Sequence, residues 1–147
     1  MKLVIQRVSR ASVAIKDTNK IVGKIGKGLF ILIGIKKGDT KEKIDELIEK
    51  ISKLRIMADE NNKMNLSVLD TNSSILFVSQ FTLNANTKDG NRPSFIDAEE
   101  PEKARNLYEY FVKKLKEKGI KVETGSFGDY MEINCTLDGP VTIVLED

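Results

Sequence analysis

Apolar positions along the chain follow two rhythms, one of period two and one of period 3.6, set in separate blocks. Residues 2–9 hold Leu3, Ile5 and other β-formers, and residues 11–15 alternate, with Val13 and Ile15 on one side. The turn-like segment 17–20 joins them to residues 21–25, which predicts a hairpin. Glycines 26 and 28 punctuate the next turn, and residues 29–35 form an unbroken apolar run, the pattern of a strand buried on both faces. Over residues 40–54 the period changes. Ile44, Leu47, Ile48, Ile51 and Leu54 fall at spacings of three and four, on one face of a helix. Asp39 or Thr40 can cap its start, because each offers a side-chain oxygen to the free amides of the first turn.

Residues 59–63 read as a polar turn, and Ile75, Leu76, Phe77 and Val78 mark a second buried strand over 74–79. A long polar loop, 84–95, carries Gly90 and Pro93. Long loops in compact domains are often functional. Residues 101–118 return to helical period through Ala104, Leu107, Tyr108, Phe111, Val112 and Leu115, with Pro101 suited to the first turn and Gly119 to the exit. Met131, Ile133, Cys135 and Leu137 alternate with polar residues, so 131–137 predicts a half-buried strand. Residues 138–140 read as a turn and 141–145 as the last strand. This order predicts an α+β fold in one domain over 1–147, with a largely antiparallel, barrel-like sheet and two helices packed against it.

Composition narrows the chemistry. A net charge of +2 argues against a broad, non-specific RNA coat and permits contact with one RNA end through a local patch. Residues 1–8 are interrupted by Gln6 and Arg7, unlike a signal peptide, and the longest apolar run is too short to cross a membrane. A cytosolic location is the expectation. One cysteine excludes an internal disulfide framework and a cysteine-rich metal site. The absence of histidine removes the commonest general base near neutral pH, the Ser-His-Asp and Cys-His devices, and most zinc sites. Neither a metal nor a cofactor is expected.

Three segments can carry chemistry. Ser79, Gln80, Phe81 and Thr82 follow a buried strand, where hydroxyls, a carboxamide and backbone amides can hold an ester carbonyl and its developing oxyanion. A strand end capped by polar residues accounts for the same segment equally simply. Pro93, Ser94 and Phe95 follow Arg92 and Lys88, which suits phosphate and base contact, or else a solvated loop with one aromatic anchor. Gly139 and Pro140 read first as a turn. Lysines 113, 114, 116, 118 and 121 suit an RNA backbone or a solvated helix face diluted by Glu109 and Glu117. Cys135, in phase with Met131 and Ile133, reads as a buried small hydrophobe.

The opening Val-Ile-Gln-Arg-Val at 4–8, Ser-Gln-Phe-Thr-Leu at 79–83, Arg-Pro-Ser-Phe at 92–95 and Gly-Pro-Val-Thr at 139–142 together resemble the D-aminoacyl-tRNA deacylase family. The stretches 34–39 and 55–65 resemble it in kind and order. Each motif alone is weak; four in order, at the right spacing, across nearly the whole chain are highly specific. The resemblance implies a homodimer with active sites at the subunit interface, acting on the 3′ end of aminoacyl-tRNA. It further implies a cis bond at Gly139–Pro140, which enters the partner's site as a chirality filter, with Arg7 bracing it. Ser79 to Thr82 would line the pocket for the aminoacyl group and terminal adenosine, beside Pro93, Ser94 and Phe95.

In that family the RNA itself assists catalysis, and this agrees with a histidine-free chain. The aminoacyl ester is already reactive and its ribose carries a vicinal 2′-hydroxyl, so positioning and oxyanion donors suffice. Two other readings stay open: an esterase or amidase using Thr82 or Ser79 as nucleophile, and a dimeric nucleic-acid-end binding module without turnover.

Overall fold

A computed structural model describes residues 1–88 and 90–146. The predicted strands at 2–9 and 11–15 are one long strand, β1 (Lys2–Ile15). It runs antiparallel to β2 (Lys20–Ile25) through its second half and to β3 (Gly28–Gly34) through its first. Asn19, with φ of 54°, closes the β1–β2 hairpin. Along its other edge β1 pairs antiparallel with β8 (Met131–Glu146).

The sheet is thus largely antiparallel, as expected, but its remaining pairs are parallel. β6 (Ser74–Ser79) joins β3 in parallel, and β7 (Lys121–Thr124), a strand the sequence reading missed, joins β6 in parallel. The sheet is therefore mixed. The connections explain this: α1 (Lys41–Lys53) lies between β3 and β6 in the chain, and α2 (Pro101–Glu117) between β6 and β7. Such crossovers bring a strand back in the same direction, where a tight turn reverses it. A small hairpin, β4 (Met57–Ala58) with β5 (Met64–Leu66), follows α1 and encloses the predicted polar turn.

Alternation on the central strands builds two cores. Leu3, Ile5, Leu29, Ile31, Ile33, Ile75 and Phe77 point to the helices and meet Ile44, Ile48, Ile51, Leu107, Phe111 and Leu115. Phe30, Leu76 and Val78 point the other way and meet Val8, Val13 and Ile25, where β1 and β2 curl over the sheet in a nearly closed barrel. This is why residues 29–35 and 75–78 lack polar positions. Tyr108 stacks on Phe77 with ring centroids 5.5 Å apart, and its hydroxyl donates to the Phe77 carbonyl at 2.6 Å. That bond satisfies its one polar group inside the core.

Helix ends follow local chemistry. Thr40 caps α1 by accepting from the Lys43 amide, and Gly119, at φ of 83°, closes α2. Asp39 has a different role. It takes the buried Met1 ammonium at 2.8 Å and the Lys36 amide at 2.8 Å, tying the start of β1 to the loop after β3.

β8 corrects two further expectations. Residues 138–140 do not turn the chain, because β8 continues along β1 through them. Two steps on β1, Gln6 to Val8, face five on β8, Thr142 to Leu137, so the surplus residues bulge out opposite Arg7. Pro140 is tolerated there because β8 is an edge strand. Nor is Cys135 buried: it is exposed and opens onto a shallow groove beside Arg10 and Lys24. It keeps the phase of Met131 and Ile133, which pack on the second core, and lies opposite Ala11 on β1, yet it stays exposed, since periodicity fixes a direction and not burial.

Candidate active site

β6 delivers Ser79 to the edge of the sheet beside Ile33, and the Gln80 amide donates to the Ile33 carbonyl at 2.7 Å. The chain then makes a single 3-10 turn, Phe81–Asn84. Leu83 donates to the Gln80 carbonyl at 3.2 Å and Ala85 to that of Thr82 at 3.1 Å. A turn of this kind leaves its first amides, those of Phe81 and Thr82, without partners inside the turn. Gly34 permits its close seat on β3. A Cβ at position 34 would stand 2.9 Å from Leu83 Cβ and 3.1 Å from Asn84 Nδ2. Asn84 Nδ2 completes the seat by donating to the Ile35 carbonyl at 2.9 Å.

The side chains of the turn are poised for binding more than for attack. Gln80 Nε2 donates to Thr82 Oγ1 at 2.5 Å, so the neighbour of that hydroxyl is an amide donor, which does not take a proton. Phe81 is 56% exposed, and its ring meets Phe95 edge-on with centroids 5.0 Å apart. The Arg-Pro-Ser-Phe loop thus reaches the Ser-Gln-Phe-Thr turn. Paired backbone bonds between Asn86 and Ser94, 2.8 and 2.9 Å, pin the loop there, with Pro93 and Ser94 exposed. Next to the turn an open cavity of about 450 Å³ is lined by Asn84 and Asn86, by Lys2, Lys37 and Lys88, and by the carboxylates Asp97 and Glu146, the latter paired with Lys2 at 3.0 Å.

Gly139 and Pro140 lie elsewhere. The bond between them is cis, Gly139 has φ of 135°, and both residues are exposed. A Cβ at Gly139 would stand 2.8 Å from both the amide nitrogen and Cγ2 of Val141, so no side chain fits without distortion. Arg7, buried under the bulge, donates from Nε to the Asp138 carbonyl at 3.1 Å and pairs with Asp138 Oδ2 at 3.1 Å. Its Nη1 donates to the Ile56 carbonyl at 3.0 Å. Arg7 thus holds the residue before Gly139, and it has a further partner, Ile56, that none of the four motifs announced. A backbone carbonyl leaves no signature in a sequence, because every residue has one.

Within one chain the two motifs do not meet. Arg7 faces Leu29, whereas Ser79 lies beside Ile33, four residues further along β3, or about 13 Å. β8 and β6 are also separated by β1 and β3, about 14 Å across the sheet. Between them runs an apolar row, Val144 opposite Val4 opposite Leu32, in which Val144 is 57% exposed while Val4 and Leu32 are half-buried, Leu32 against the second core. Three of the lysines between residues 113 and 121 are in ion pairs. Lys113 and Lys114 pair with Glu117 and Lys118 with Glu49, on a charged face. No helix among the described residues is long and apolar enough to cross a membrane.

Comparison with known proteins gives the family. The D-aminoacyl-tRNA deacylase of Thermosipho melanesiensis is 52% identical over 147 residues, covering 99% of this chain and 97% of that protein. That of Aquifex aeolicus is 52% identical over 146 residues with the same coverages. Among solved structures, the c-Myc DNA Unwinding Element Binding Protein superposes with a TM-score of 0.92 at 40% identity, covering 100% of this chain and 99% of that one. A probable eukaryotic D-amino acid tRNA deacylase superposes at 0.87 with 16% identity, covering 98% and 97%, a likeness of fold. The profile of the family described as D-Tyr-tRNA(Tyr) deacylase matches residues 4–146, and with half its positions shared with these bacterial relatives the chain belongs to that family.

Proposed function

We propose that this protein hydrolyses the ester linking a D-amino acid to the 3′ end of tRNA, releasing free amino acid and tRNA. The observation that carries the reading is the near-full-length identity to bacterial D-aminoacyl-tRNA deacylases. The geometry agrees with it. The Phe81 and Thr82 amides are donors for the oxyanion, and the exposed Phe81–Phe95 pair is a platform for the terminal base. Beside them, the lysine-lined cavity suits the RNA backbone.

The working unit is a homodimer. Two features support this: the apolar row Val144, Val4 and Leu32, exposed at Val144, and the separation of Gly139–Pro140 from Gln80 in one chain. A second copy packed on that row brings its own Gly139 and Pro140 towards the Ser79–Thr82 turn. Rigid backbone placed against the α-carbon of the substrate leaves room for hydrogen and none for an L side chain, so selection is by rejection. Water attacks the ester carbonyl, the amides hold the oxyanion, and the ribose 2′-hydroxyl relays the proton to the departing 3′ oxygen. No protein base is needed, in accord with a chain without histidine.

A second reading, a nucleic-acid-end binder without turnover, draws on the likeness to the protein named for binding a DNA unwinding element. Incubating purified protein with matched D- and L-aminoacyl-tRNA separates the two. Release of the D-amino acid alone is expected, and binding with no release of either would overturn the hydrolase reading.

A further inference from the structure

Arg7 reaches Asp138 with one side of its guanidinium and Ile56 with the other. Ile56 belongs to neither motif, yet its peptide is held from several directions. Its side chain and that of Met57 are buried in the helical core, and its amide donates to the Leu54 carbonyl at 3.1 Å. Next to it, Arg55 grips Asn65 across the β4–β5 hairpin: Nε donates to the Asn65 carbonyl at 2.7 Å and Nη2 to Asn65 Oδ1. Asn65 Nδ2 donates in turn to Asp59 Oδ2 at 3.3 Å. The other oxygen of Asp59 accepts the amides of Asn61 and Lys63, each at 2.9 Å. The Lys63 amide foremost holds the Asp59 carboxyl below the usual carboxylate range, so it stays ionised as an acceptor.

We propose that Arg55, Asn65 and Asp59 form a clamp that fixes the Ile56 carbonyl and, through Arg7, the seat of Gly139 and Pro140. They are positioning residues for the choice between D- and L-aminoacyl esters. The proposal rests on the reading of Gly139 and Pro140 as the selecting element. Arg55 and Asn65 are exposed, and polar contacts between exposed groups add little to global stability. What they supply is orientation, because a planar guanidinium bound to two oxygens of one residue has little freedom. A filter that works by contact needs its atoms held within about 0.5 Å, which requires supporting residues behind those that touch substrate.

The experiment measures hydrolysis rates of D- and L-aminoacyl-tRNA on one tRNA body. The proteins compared are wild type, Arg55→Met, Arg55→Lys, Asn65→Ala, Arg7→Met and the double variant Arg55→Met/Arg7→Met, each with its Tm. The D-to-L rate ratio is expected to fall about five- to tenfold in Arg55→Met, less in Asn65→Ala, which keeps the backbone acceptor, and to recover in part in Arg55→Lys. In the Arg7→Met background, Arg55→Met is expected to lower the ratio no further, since both act through one link. An unchanged ratio in both Arg55→Met and Asn65→Ala, equal losses in the two rates, or full additivity with Arg7→Met would each overturn the clamp. A wild type that does not discriminate would remove the filter reading and the clamp together, whereas a discriminating wild type with unaffected clamp variants removes the clamp alone.

Discussion

Arg7 and Asp138, 131 residues apart in the chain, are joined twice, by a hydrogen bond to the backbone carbonyl and by an ion pair with the carboxylate, each at 3.1 Å. The double link anchors the bulge in β8 to the middle of β1, and it makes Arg7 the first residue to test. Arg7→Ala leaves the buried Ile56 carbonyl without its donor and releases the bulge. A stability loss of about 1–3 kcal/mol is expected in chemical denaturation. The same variant should lose D/L selectivity while tRNA affinity changes little. Unaltered selectivity and association state would reduce Arg7 to a structural arginine.

Among the described residues no base is hydrogen-bonded to the Thr82 or Ser79 hydroxyl, and Gln80 donates to Thr82. Thr82→Ala and Ser79→Ala should therefore retain activity within about tenfold, far short of the loss that follows removal of a true nucleophile. A substrate ending in 2′-deoxyadenosine, charged on its 3′ oxygen, should turn over poorly. A dead Thr82→Ala with normal turnover of the deoxy substrate would establish threonine as the nucleophile instead.

The proposed selection by rejection leaves glycine unopposed, because it has no side chain to reject. Gripping a single methyl group is worth only about 1–3 kcal/mol, so the pocket cannot favour D-alanine over glycine by a wide margin through such a contact. Glycyl-tRNA should be hydrolysed together with D-alanyl-tRNA, and L-alanyl-tRNA spared, on one tRNA body at one enzyme concentration. Resistance of glycyl-tRNA equal to that of L-alanyl-tRNA would mean that the pocket reads a D side chain directly.

Val144 stands at the exposed end of the apolar row, on the edge strand β8 and opposite Val4. Placing a charge there should cost little in a monomer, where the position is exposed, and much in a dimer that buries it. Val144→Lys is expected to shift the sedimenting species from dimer to monomer and to abolish deacylation. An unchanged association state would move the dimer contact to another face.

Glu49 offers a test by pH. Lys118 foremost, then Lys53, hold its carboxyl down at about 2. A depressed carboxyl contributes stability that is present above its unfolded value near 4.5 and lost as pH falls through about 2. The Tm difference between wild type and Glu49→Gln should be small, as for any exposed pair. It should shrink towards zero between pH 5 and pH 2 as the carboxyl takes up its proton. A difference that grows on acidification would contradict the assignment.

Local pattern determined a good part of this protein by itself. The period of 3.6 over 40–54 and 101–118 located both helices to within a residue or two, because an amphipathic face is written in neighbouring residues. The unbroken runs at 29–35 and 74–79 announced strands with a core on each face, and two cores are there. The sequence also carried the family in its four motifs. Tertiary structure alone decided what depends on distant partners. The parallel seat of β6 follows from the path of α1, and the bulge at 138–141 from register along β1. The exposure of Cys135 follows from its place on the edge strand β8, and the tie from Arg7 to Ile56 from a backbone carbonyl that no side chain encodes. Periodicity records which way a residue points, whereas pairing, register and burial are settled by which segment arrives opposite, and that choice is made across the whole chain.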